Sequence, residues 1–156
     1  MARPCPWSGA GLWCAAAPVV CGAEGGSMTK RPDLPYTIVG AAMEVHRQLG
    51  PWHAEKVYRR ALQAALERKE LGVHPEMPLR LQDEDGVVLA IYRPDLVVRR
   101  GRETVVVELK AEPALTDAHV RQLKAYLSAW RGRAEGLLVN FGEARLTWKK
   151  VRKERP

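Results

Sequence analysis

YRPDLVVRRGRETVVVELKAE, Tyr92 to Glu112, sets Asp95, Glu108 and Lys110 inside two runs of Val and Leu that otherwise read as buried strand. Ionised side chains are strongly disfavoured in an apolar interior unless they are paired or hold a metal. Three of them in one hairpin need a chemical reason. Residues two apart on a strand share a face, so Glu108 and Lys110 point one way and Leu109 the other. Folding the chain about Arg99 to Arg102 brings Asp95 opposite a residue close to Glu108. Two carboxylates and an ammonium therefore converge.

Hard divalent cations such as Mg²⁺ or Mn²⁺ take oxygen ligands, commonly one or two carboxylates with water and substrate phosphate completing the shell. Paired acids on adjacent strands suit that role. A lysine beside such an ion can orient a water and stabilise charge developing on a phosphate. The residues thus describe a phosphodiester-hydrolysing site. A structural salt bridge of Asp95 or Glu108 with Lys110 is the other reading of the same spacing.

Upstream, PYTIVGAAMEVHRQLG repeats Ile38, Ala41, Ala42, Val45 and Leu49 at helical steps and ends at Gly50-Pro51. HAEKVYRRALQAALERKEL predicts a second helix, with Ala54, Val57, Tyr58, Ala61, Leu62, Ala65 and Leu66 inward and Lys56, Arg59, Arg60 and Lys69 on its polar face. Beyond Pro75 the period falls to two. MPLRLQ, VVLAIYRPDLVV and TVVVELK, separated by DEDG and RRGRE, predict three neighbouring strands in an antiparallel meander. A third helix runs from Thr116 to about Trp130, followed by a buried strand in EGLLVNFG and an edge strand in ARLTWKKV. The expected class is α/β, a central mixed sheet flanked by helices.

The 156 residues suffice for one domain with a sizeable core. Lys and Arg number 25 against 18 Asp and Glu, a net charge of +7 that would attract a polyanion such as nucleic acid. The apolar stretch Gly11 to Ala23 is broken by Pro18 and is too short to span a bilayer, so no membrane partner is expected. Cys5, Cys14 and Cys21 lie near the start without metal-ligand spacing, which suits a reducing cytoplasm. Residues 1–27, rich in Gly, Ala, Pro and Cys, read as a disordered extension or a mis-assigned start before Met28, with a signal peptide the alternative. Residues 28–156 read as the single domain.

With PD followed by ELK, the hairpin resembles the PD-(D/E)-x-K signature of restriction-endonuclease-like nucleases. More closely, YTIVGAAMEVHRQLGPWHAEKVYRRAL, RPDLVV, VVVELKA and GLLVNFG resemble the prokaryotic GxxExxY protein family, a branch of that superfamily. The resemblance implies a restriction-endonuclease-like core and a Mg²⁺- or Mn²⁺-dependent nuclease acting on DNA more than RNA, with a homodimer possible for duplex cleavage. It implies catalytic roles for Glu55, Asp95, Glu108 and Lys110. Asp95, Glu108, Glu55 and the Leu109 carbonyl would be metal ligands. Glu44 is the alternative helix acid, and His46 a supporting residue. Tyr58 matches the family tyrosine, while Trp52 occupies the place of the family glycine. Gln122 and Tyr126, one helical turn apart, resemble the Q-x-x-x-Y pair of recombination-type exonucleases and would touch substrate or brace Lys110. A non-catalytic nucleic-acid-binding module with a vestigial site is the competing function. Base-reading motifs such as a helix-turn-helix are not visible in the sequence.

Overall fold

The computed structural model describes residues 32–153; the expectations for residues 1–27 lie outside them. Helix α1 spans Leu34–Leu49 and α2 spans Glu55–Glu67. Strands β1 (Gly72–Pro75), β2 (Leu79–Gln82), β3 (Val88–Tyr92), β4 (Leu96–Arg100) and β5 (Glu103–Lys110) follow. Helix α3 (Asp117–Ala129) then leads to β6 (Glu135–Asn140) and β7 (Thr147–Arg152). Among the described residues no helix is long and apolar enough to cross a membrane.

Five strands form a mixed sheet in the order β1-β4-β5-β6-β7. Strands β1, β4 and β5 are antiparallel neighbours, β5 and β6 are parallel through the α3 crossover, and β7 returns antiparallel at the edge. The sheet is therefore mixed and helix-flanked, as the sequence suggests, but its meander differs in one respect. VVLAIYRPDLVV is two strands, because Pro94 has no amide proton to give to a ladder. β3 ends at Tyr92 and pairs only with β2 in a separate two-stranded sheet. The place expected for MPLRLQ beside β4 is taken by β1, whose short GVHP sequence carries no strand period.

The pleat divides β5 between two cores. Val105, Val107 and Leu109 pack with Leu96 and Val98 against Ile38, Ala42 and Val45 of α1 and Leu62 and Leu66 of α2. Val106 faces Leu123 and Leu127 of α3, with Leu138 of β6. Glu108 and Lys110 share the parity of Val106 and lie on the α3 side. The β2–β3 hairpin packs Leu79, Leu81 and Tyr92 onto this second core, leaving Val87, Leu89 and Ile91 exposed.

The connection between α1 and α2 tests the Trp-for-Gly exchange. The positive φ of 68° falls on Gly50, which donates its amide to His46 O at 2.8 Å, so Trp52 is not required to adopt it. Tyr58 closes the connection from below, donating to Gly50 O while accepting the His53 amide at 3.1 Å, its ring stacked on Phe141. The inward face of α2 is narrower than its apolar residues suggest: Tyr58, Leu62, Ala65 and Leu66 are buried, whereas Ala54 and Val57 are exposed. His119, an apparently exposed residue in sequence, accepts the Thr116 amide through Nδ1 at 3.2 Å and caps α3.

Asn140 ends β6 with a fully buried amide. It accepts the amides of Glu112 and Gly142 at 3.0 and 3.2 Å, and donates to Glu112 O at 2.8 Å and Glu143 Oε1 at 2.9 Å. A Cβ on Gly142 would lie 2.5 Å from the Glu112 backbone, so only glycine permits this approach. Replacing Asn140 by Ala strands several polar groups and is expected to destabilise the fold by about 1–3 kcal/mol. Urea unfolding of the variant against wild type measures that loss.

Candidate active site at the β4–β5 edge

Leu96 pairs with Val107, and one further step of that register sets Asp95 opposite Glu108. Asp95 stands before β4 rather than within it, directly after the Arg93-Pro94 break. Its Oδ2 accepts the Leu109 amide at 2.8 Å, so the carboxylate takes over where the strand ladder stops. Glu108 Oε1 receives Lys110 Nζ at 2.8 Å. Both carboxyl groups are buried, at 8% exposure for Asp95 and 4% for Glu108. The three charges of the opening stretch are thus brought together at one sheet end.

Arg59 completes the group from α2. It lies 2.8 Å from Glu76 and 3.6 Å from Asp95 Oδ1, with its side chain only 18% exposed. On the helical wheel it falls on the polar face, and periodicity alone assigns it to solvent. The signal that could have found it is a cation one turn after Glu55 on the same helix.

The pKa of Glu108 is raised to about 7, chiefly by burial, with its hydrogen bond to Lys110 opposing the rise and the charges of Asp95 and Glu55 adding to it. Asp95 is raised by burial against the pull of the Leu109 amide and Arg59. Glu55, the first residue of α2, is raised by burial, then by Asp95, with Lys110 lowering it and Glu112 raising it. Burial works against the charged form of Lys110, but its hydrogen bond to Glu108 and the charges of Glu108, Glu55 and Asp95 outweigh this and hold it above the ordinary lysine value. Lys110 is therefore an ammonium at neutral pH.

The other sequence candidates separate cleanly. Glu55 feels Asp95 and Lys110, whereas Glu44 is exposed and pairs with Lys69 at 3.5 Å. His46 Nε2 bonds the Glu143 carbonyl at 2.9 Å beside Phe141. Tyr58 is wholly buried with its hydroxyl engaged in the α1–α2 connection, which leaves it no surface to offer a substrate. Gln122 donates to the Tyr126 hydroxyl at 2.6 Å, and Tyr126 is raised by burial and then by Glu108, which places that pair beside the acids. Asn140 and Glu112 are additions that no sequence pattern marked.

The family model of the PD-(D/E)XK nuclease superfamily matches residues 32–152, nearly all of the described chain. The chain belongs to this superfamily. Its mixed sheet and flanking helices are the restriction-endonuclease-like fold of PD-(D/E)XK proteins. Among solved structures, that described as "Crystal structure of SSO0001" is 18% identical with a TM-score of 0.46; the match covers 65% of this chain and 50% of that one, so this chain spans half of that relative's length. Among curated proteins none matches.

Nucleases of the PD-(D/E)XK superfamily typically use divalent metals. Asp95 and Glu108 fit such an ion by their chemistry: two buried, facing carboxylates repel each other, and a hard cation between them would relieve that repulsion. Among the described residues, no group of three or more His, Cys, Asp and Glu gathers as ligands, so protein ligation would rest on this pair and a backbone oxygen such as that of Leu109.

The raised acids also make stability depend on pH. Between the ordinary glutamate value of 4.5 and about 7, folded Glu108 holds a proton that the unfolded chain releases, so its contribution falls as pH rises through that window. Asp95 and Glu55 act in the same direction, whereas the raised Lys110 acts only at alkaline pH. In thermal scans without divalent ions, Glu108→Gln should gain stability relative to wild type between about pH 4 and about pH 7.5, limits about half a unit outside that window. A difference that is flat with pH would show Glu108 to titrate normally.

Proposed function

We propose that the chain is a Mg²⁺- or Mn²⁺-dependent nuclease of the GxxExxY branch, cleaving phosphodiester bonds of DNA in preference to RNA. The observation that carries this reading is the register that sets Asp95 opposite Glu108, with Lys110 on the same face and Glu55 approaching from α2. Asp95, Glu108 and the Leu109 carbonyl would hold the metal, with Glu55 orienting from the helical side; the ion when bound would supply Lewis-acid stabilisation and lower the pKa of water. Residues 28–156 form the catalytic domain in this reading.

The protein's own groups divide the remaining work. Lys110, kept protonated by its acid neighbours, orients the attacking water and stabilises negative charge on the phosphate oxygens. Its 2.8 Å bond to Glu108 fixes the ammonium at that position. Leu109 holds Asp95 through its amide, keeping one carboxylate oxygen turned to the ladder and the other to the site. Gln122 and Tyr126 offer an amide and a phenol at the α3 side, where a phosphate or the acid cluster can be hydrogen-bonded.

One observation favours a non-cutting nucleic-acid-binding module instead. Asp95 and Glu108 each already have a cationic neighbour, Arg59 at 3.6 Å and Lys110 at 2.8 Å, so this pair of carboxylates can stand as ion pairs without a metal. The two readings separate in calorimetric titration of Mn²⁺ into wild type and the Asp95→Ala/Glu108→Ala pair, followed by cleavage assays on single-stranded and duplex DNA. The nuclease reading expects binding lost in the double variant. It also expects cleavage reduced about 10²-fold or more in Lys110→Ala, with the circular dichroism spectrum retained. Cleavage by Lys110→Ala at the wild-type rate would remove the assignment.

A further inference from the structure

Trp52 is 84% exposed, the most exposed large apolar side chain among the described residues. The other two described tryptophans are covered: Arg99 lies over Trp130 at 5.2 Å, and Tyr36 meets Trp148 edge-on at 5.8 Å. Among the described residues no ring or cation covers Trp52. Its indole is nonetheless seated, because a Cβ built on Gly50 would lie 3.0 Å from both Cδ1 and Nε1. One edge of the ring rests on that glycine while its surface faces solvent. Tyr58 holds the same loop from below through Gly50 O and the His53 amide. The exposed indole thus stands on a braced turn.

Its position relates it to the acids. Trp52 precedes Glu55 by three residues, and three residues reach at most about 11 Å. Glu55 in turn feels the charges of Asp95, Lys110 and Glu112. Lys56, exposed on the first turn of α2, adds a cation beside the loop.

We propose that Trp52 is a stacking platform for an unpaired nucleobase next to the scissile phosphate, so that the preferred substrate is a single strand or a frayed end. The inference rests on the nuclease reading for its substrate, but not on cleavage. A large flat ring with an open face binds a base of any identity, and a base inside a duplex is already stacked on both sides. Lys56 would meet the adjoining phosphate, giving the salt-dependent part of the affinity.

The test is fluorescence anisotropy of a fluorescein-labelled oligo(dT) strand and of its oligo(dA) duplex, in EDTA, with full-length wild type, Trp52→Phe and Trp52→Ala. Trp52→Ala should weaken single-strand binding by about tenfold, with Trp52→Phe retaining most of the affinity and the slope against salt unchanged. Duplex affinity should not move. Equal single-strand affinity in Trp52→Ala and wild type would overturn the inference, as would an equal loss on both probes. So would a Trp52-dependent dimer in sedimentation with single-strand affinity unaltered, since the indole would then seat a second copy of the chain. Because binding is read in EDTA it does not depend on cleavage: Trp52-dependent single-strand binding by a protein that fails to cut DNA in the separate Mn²⁺ assay supports the platform and removes only the nuclease reading.

Discussion

The bond from the Leu109 amide to Asp95 Oδ2, 2.8 Å long and buried, joins the two ends of the hairpin where ordinary strand pairing has stopped. Pro94 cannot donate to a ladder, so the chain before β4 needs another tie to β5. The aspartate side chain supplies it. The same bond fixes the carboxylate opposite Glu108 and sets its free oxygen toward Arg59 at 3.6 Å. A structural need at the strand start and a chemical need at the site are therefore met by one residue. An isosteric amide could still accept the Leu109 proton, but would bring no charge to the cluster.

Charge in the cluster is unevenly distributed. Glu55, Asp95 and Glu108 stand against Lys110 and Arg59, with burial adding to the acids' reluctance to ionise. The excess acid explains why both members of the Glu108–Lys110 pair lie above their ordinary pKa values. Glu108 is raised by burial and like charge, while Lys110 is raised because its carboxylate neighbours overcome its own burial. Such a cluster is poised to accept further positive charge. That poise is the physical link between the hairpin and a divalent ion.

Much of this was legible in sequence. The valines of VVVELK alternate between two cores, and their parity alone puts Glu108 and Lys110 on one face. The number of helices and their order followed from periodicity and from Gly50-Pro51. Pairing between β1 and β4 was not legible, since GVHP has neither alternation nor length, and a hairpin inserted between them hides the true neighbour. Arg59 and Asn140 escaped for a related reason. A helix period reports which face is apolar, not which cation bends inward, and an asparagine in an apolar run carries no mark of the four hydrogen bonds it makes.

Support for the site is stronger on the strand side than on the helix side. β5 and β6 run parallel and end together, with Lys110 beside Asn140, whose amide ties down Glu112 just beyond the lysine. Gly142 admits the Glu112 backbone at a distance no other residue permits. Lys110 thus sits on a strand whose exit is fixed from its neighbour. Glu55 begins α2 after a loop held by Tyr58 alone among the buried side chains that bond it. A group that must meet reacting atoms at fixed distance belongs on the braced strands, while a group that meets substrates of varied sequence tolerates a loop. Asp95, Glu108 and Lys110 occupy the first kind of position, and Trp52 the second.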